Sequence, residues 1–211
     1  MINSPRSPSR TPVFPFWAAL VCTLLMGVVY TVHDVLQVAE PLFSLLSFLP
    51  GALSLAALFL AGFSKEQCSL RFAWPSKAGW LALAGVCILL LPILLSSRGV
   101  TGWSWLSALV YAPASGLAQE LYFRGALLPA LARLFRPRLR LALGLHALLF
   151  IAYHLRTFRS IGALAPSLVV AGVLFLAGLG WGWQAQKDRT LAWTALQHSI
   201  FLSAMSVFTW G

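Results

Sequence analysis

Long apolar stretches broken by short polar ones run the length of this chain. Within each stretch the apolar residues stand on all sides rather than on one face, the pattern of helices in apolar surroundings. A hydrocarbon core of about 30 Å takes roughly 20 helical residues to cross. On that scale the sequence predicts spans near 13–32, 42–63, 79–97, 114–134, 139–155, 161–186 and 190–209. Residues 102–112 form a further apolar segment, set off by Pro113 and Gly116, that reads as a half-helix or as an eighth span. Met1 to Pro12 is rich in Ser, Pro and Arg and is expected to be disordered. The first span is too long for a secretory signal and no small-residue cleavage site follows it, so it reads as a retained anchor. The expected fold is therefore all-α: a polytopic transmembrane helical bundle of seven or eight helices, one integral membrane domain over residues 13–211.

Composition turns this pattern into an exclusion. Apolar residues make up 59% of the 211 and charged residues 9%, against about 25% charge in a soluble domain. With a mean hydropathy of +0.82, the chain has too little charge to cover a water-facing surface. The net charge of +10 would suggest nucleic acid on a soluble chain. Here the basic residues sit in short loops, where they suit anionic headgroups and orient the chain. No nucleic-acid partner is expected. With a cytoplasmic N-terminus and seven crossings, eleven basic residues fall inside: Arg6, Arg10, Lys65, Arg71, Lys77, Arg133, Arg136, Arg138, Arg140, Lys187 and Arg189. Only Arg98, Arg156 and Arg159 fall outside. Cys22, Cys68 and Cys87 have neither metal-binding nor disulfide-framework spacing. Gly178 and Gly182 form a GxxxG beside Trp181 and Trp183, which reads as close helix packing next to an interfacial aromatic belt.

The polar residues inside the spans carry the chemistry. An ionisable group there costs about 2.5–3.5 kcal/mol on insertion scales, so it needs a partner or a purpose. Glu120 and Arg124 stand four residues apart, on one helix face, where the guanidinium can fork onto the carboxylate. His146, Phe150 and His154 share a face of the next span, and His198 lies within the last. A lone intramembrane His is usually a helix–helix hydrogen bond, and a Glu–Arg pair can be purely structural. A Glu, an Arg and two His on three different helices instead predict a polar cavity between the later helices. There a carboxylate or imidazole can take a proton from water while another His donates to an oxyanion.

Gln119-Glu120-x-x-x-Arg124-Gly125, then Phe150-x-x-x-His154, then His198 resembles the three-motif signature (EExxxR, FxxxH, HxxxN) of the CAAX-protease and bacteriocin-processing family of intramembrane proteases. The resemblance covers roughly residues 100–209. It implies a glutamic-type endopeptidase, earlier described in the family as a metalloprotease, that cleaves membrane-tethered proteins near their C-termini. Carried over residue by residue, Glu120 and His154 activate water, His198 stabilises the oxyanion, and Arg124 holds the glutamate. Phe150, Tyr153 and Tyr122 are the expected substrate-contacting aromatics. No cofactor is expected; the alternative is zinc held by Glu120, His154 and His198. The expected partners are a membrane-tethered protein or peptide substrate and the lipid bilayer, and the expected location is a bacterial inner membrane.

Two positions depart from the signature. Gln119 stands where the family has its first glutamate, and a carboxamide can donate or accept a hydrogen bond but cannot act as a base. Either Glu120 with His154 activates the water, or the chain is inactive. Leu202 stands at the signature's Asn, leaving His198 alone or with Ser199 or Gln197. Counting Glu120 as six residues into a span entered from outside places it about 9 Å deep. That points to an outer-face site, for instance one that cuts a C-terminal sorting signal. The alternatives are a cytosol-facing CAAX-type protease and a non-catalytic family member: a bacteriocin-immunity factor, scaffold or chaperone. A proton-coupled transporter ranks last, because the chain has neither repeats nor paired broken helices.

Overall fold

The computed structural model describes residues 13–36, 40–95, 99–100, 105–155, 158–159 and 162–209. The expected disorder of residues 1–12 lies outside them. Seven helices are described: α1 (Phe16–Leu36), α2 (Leu42–Leu60), α3 (Lys77–Leu95), α4 (105–134), α5 (Leu139–Ala152), α6 (Leu164–Asp188) and α7 (Ala192–Val207). A two-residue antiparallel ladder pairs Gly99–Val100 with Phe208–Thr209. Three helices, α1, α2 and α6, are long and apolar enough to cross a membrane by length and composition alone. Many of the large apolar side chains point outward, Leu81, Leu164, Leu168 and Leu176 among them. Outward Leu on a soluble protein would be a liability; on these helices it is the surface that lipid requires.

Residues 102–112 do not make an eighth span. From Trp105 onward they run without a break into α4, which is roughly 45 Å long at 1.5 Å per residue. Residues 101–104 fall outside the described segments. The helix accommodates Pro113 by widening just before it. Ser107–Tyr111 is a π-turn, and a second π-turn, Leu121–Leu127, precedes Pro129 in the same way. A proline ring clashes with the carbonyl four residues earlier and has no N–H to give it. A wider turn ahead of the ring relieves both problems without ending the helix.

Helix α4 is the axis of the bundle, with α2, α5 and α7 packed around it. Small residues set those approaches. A Cβ on Gly51 of α2 would come within 3.1 Å of Leu121 Cβ and the Tyr122 nitrogen, and one on Gly116 of α4 within 3.0 Å of the Ser199 nitrogen in α7. Gly178 and Gly182 bring α6 onto α5 in the same way, at Ala147 and Leu143. In apolar surroundings such close backbone approach replaces the hydrophobic effect as the source of cohesion. One end of the bundle is pinned by Arg133, whose guanidinium donates to the Ala61 carbonyl (3.3 Å) and lies over the rings of Phe16 and Phe63.

Candidate active site

Glu120 is the last residue before the second π-turn and is wholly enclosed. Its Oε1 accepts two hydrogen bonds, from Arg124 NH1 at 2.8 Å and from His198 Nδ1 at 2.9 Å. The i,i+4 spacing thus places the Glu–Arg pair on one face, and the Gly116–Ser199 contact lets α7 come close enough for His198 to reach the same oxygen. Oε2 has no hydrogen-bond partner, nor do Arg124 Nε and NH2. Arg124 is equally enclosed and stacks its guanidinium 4.3 Å from the Phe150 ring centroid, with Trp181 at 5.4 Å. Aromatic faces stabilise a cation in a space where water is excluded.

His154 lies just past the end of α5 and is half-buried. Its Nδ1 is 2.6 Å from the Phe150 carbonyl oxygen. A carbonyl can only accept, so Nδ1 carries the proton and Nε2 of the neutral ring is left as the basic nitrogen. Phe150 is the common wall of the site. Arg124 lies over its face, and the rings of His154 and His198 stand 4.5 Å and 6.1 Å from it. The structure therefore brings Glu120, Arg124, His154 and His198 together around one fully buried phenyl ring.

The other sequence candidates are placed differently. Gln119 is buried; its NE2 donates to the Ser115 hydroxyl at 3.3 Å, and its amide oxygen has no partner. Tyr122 is enclosed and faces α1, donating its hydroxyl to the Thr23 carbonyl at 3.0 Å. Tyr153 is half-buried beside it, their ring centroids 6.0 Å apart. Neither side chain proposed to help His198 is free to do so. Ser199 donates to the Pro113 carbonyl, and Gln197 is bonded to Trp181 and Gln184. Among the described residues, no group of three or more His, Cys, Asp or Glu side chains is placed to hold a metal ion.

Trp181 is the site residue the sequence reading missed. Taken as part of an interfacial belt, it instead turns inward. Its ring packs 4.8 Å from His198, and its Nε1 donates to Gln197 Oε1 at 2.8 Å. Gln197 Nε2 in turn donates to Gln184 Oε1 at 3.1 Å. Only Trp183 faces outward, 45% exposed. Its spacing, three residues after Gly178 and next to Gly182, is compatible with the packed face of α6 but does not by itself fix the direction of the ring.

The depth of the site also changes once the helix ends are known. Because α4 begins at Trp105 rather than near 114, Glu120 sits about 23 Å from that end and about 21 Å from Leu134, close to the helix midpoint. His198 is only six residues, about 9 Å, from the start of α7 at Ala192. Glu120 is thus near the midpoint of α4, His198 near the start of α7, and His154 past the opposite end, after the last turn of α5.

Residues 101–203 match the family model described as Rce1-like, type II CAAX prenyl endopeptidase Rce1-like. No curated protein and no solved structure matches the chain. The matched stretch takes in α4, α5, α6 and most of α7, and so contains all of the residues gathered around Phe150. Over residues 101–203 the chain is similar to the Rce1-like family, type II CAAX prenyl endopeptidases.

Proposed function

We propose that this protein is an intramembrane endopeptidase that hydrolyses a peptide bond close to the C-terminus or membrane anchor of a membrane-tethered protein, using Glu120, His154 and His198. The observation that carries this reading is the grouping of Glu120, through Arg124 and His198, with His154 at Phe150. Glu120 is a carboxylate held by two donors through one oxygen, with its second oxygen left without a partner. His154 is an imidazole whose Nδ1–H is committed to a carbonyl, leaving Nε2 as a base.

In the proposed reaction His154 Nε2 takes a proton from water as the oxygen attacks the scissile carbonyl, and later returns it to the leaving amine. Glu120 Oε2 accepts the second water hydrogen and orients the nucleophile. His198, anchored to Glu120 through Nδ1, is assigned to the developing oxyanion. Arg124 keeps the carboxylate in place, and Trp181 holds the Arg124 and His198 planes. Gln119 sits beside the site as a hydrogen-bonding group, not a base.

The test is a membrane-tethered reporter reconstituted with the purified protein. Glu120→Gln, His154→Ala and His198→Ala should each lower cleavage by at least about 10²-fold while the protein still inserts. Unchanged cleavage in any of the three variants would remove that residue from the mechanism. Zinc removal by chelation is expected to leave the rate unchanged.

A second reading, a non-catalytic family member that binds a peptide in the same place, draws on Gln119 and Leu202. Gln119→Glu separates the two. A gain of cleavage from an inert wild type favours the binding protein, whereas an already active wild type that gains little favours Glu120 as sufficient. His154, past the far end of α5, favours access from the opposite side, whereas the nearness of His198 to the α6–α7 turn favours the side bearing Lys187 and Arg189. With a cytoplasmic N-terminus the latter is the cytosolic face. Cysteine reporters at Arg189 and at Arg159, labelled from each side, decide between them.

A further inference from the structure

We propose a second binding site, for an anionic glycerophospholipid, at the turn between α4 and α5. A groove of about 700 Å³ opens there between the start of α5 and the outward face of α6. Its lining combines two cations, Arg138 and Arg140, with apolar Leu139, Leu141, Leu143 and Trp183. Lys187 adds a third cation, its ammonium 4.6 Å from the Trp183 ring centroid. No Asp or Glu is among the lining residues, so the positive field of the arginines is not cancelled locally.

The groove combines the two halves of a phospholipid's chemistry. Its two guanidiniums suit a phosphodiester, which they can grip through paired N–H groups. The apolar lining continues onto the outward side of α5, where Leu141 and Leu148 are more than half exposed. An acyl chain following that line stays against leucine. A free phosphate would use the arginines and leave the apolar lining bare, which is why a lipid is the better occupant. Trp183 and Lys187 sit where an indole and a snorkelling ammonium belong, at the headgroup level. The volume falls within the usual 300–1,000 Å³ range of ligand sites. This site is separate from Glu120 and does not depend on the protein being a protease.

The test uses the full chain purified in neutral detergent and titrated with phosphatidylglycerol, phosphatidylcholine or inorganic phosphate. Lipid adducts are read by native mass spectrometry and stability by thermal unfolding. Phosphatidylglycerol should raise Tm and remain bound, and the other two should not. Arg138→Gln with Arg140→Gln should weaken phosphatidylglycerol binding roughly 30-fold, at about tenfold or less per arginine near a headgroup, and leave the unliganded Tm unchanged. If that variant fails to fold, raised salt on the wild type gives the same reading, because binding through the arginines must weaken with salt. Equal binding of phosphatidylcholine, an equal response to inorganic phosphate, or salt-independent binding would each overturn the proposal.

Discussion

Glu120 Oε1 accepts from both Arg124 and His198, so these side chains act as one unit, and removing Glu120 or Arg124 leaves the other charge buried without a counterpart. Removing one partner of a buried ion pair typically costs 3–5 kcal/mol. Arg124→Ala should therefore destabilise the protein by about that amount in thermal or denaturant unfolding, as well as abolish cleavage. Glu120→Gln keeps the shape and should cost less stability for the same loss of turnover. Trp181→Phe is a sharper probe of positioning: it keeps an aromatic face for Arg124 but loses the donor to Gln197. It should lower kcat more than it raises KM. The Glu120–Arg124 pair was legible from spacing alone, because four residues on a helix means one face. Trp181 was not, because an aromatic near the end of an apolar span has the same local sequence whether it faces lipid or core. Only the neighbouring helix, which brings Gln197 and His198, settles its direction.

On the scale of elements, the site depends on how closely helices approach α4. Gly116 lets α7 come near enough for His198 to meet Glu120, and a Cβ there would lie 3.0 Å from the Ser199 nitrogen. Gly116→Leu should push α7 away and lower cleavage as severely as His198→Ala, although residue 116 touches no reacting group. A protein that kept full activity would show that α7 can shift without loss. The helix count was readable in advance, since runs of 15–25 apolar residues permit little else. The joining of residues 105–112 to α4 was not readable, because Pro113 and Gly116 are ordinary helix-ending signals. What overrides them is the π-turn ahead of each proline, a local widening that no periodicity of side chains announces. That one misread boundary also moved Glu120 from near a helix end to the midpoint of α4.

For the whole molecule, the odd number of helices among the described residues puts Phe16 and Val207 on opposite sides if all seven cross. Reporters at the N- and C-termini should be protected from opposite faces in intact vesicles. The native cysteines give an internal check on packing. Cys68 lies in the loop between α2 and α3, is fully buried, and burial pushes its thiol up to about 12. Because the thiolate is the reactive form, only about one Cys68 in 10⁴ is ionised at pH 8, and the fraction rises tenfold per pH unit until the pKa is reached. In the folded protein a maleimide should leave Cys68 untouched until unfolding. Early labelling of Cys68 would mean that the loop opens readily.

The bonds at Glu120 also differ in when they can form. Arg124 is synthesised four residues after the carboxylate, so the charge is paired as soon as that helix turn exists. His198 lies 78 residues after Glu120, on α7. Helix α4 can therefore enter the bilayer as an internally neutralised rod, with no help from later segments. A chain stopped before Ala192 should insert normally and hold its glutamate safely, yet remain chemically silent. The full constellation exists only once α7 has been made, so on the proposed reading the first six helices alone are inert.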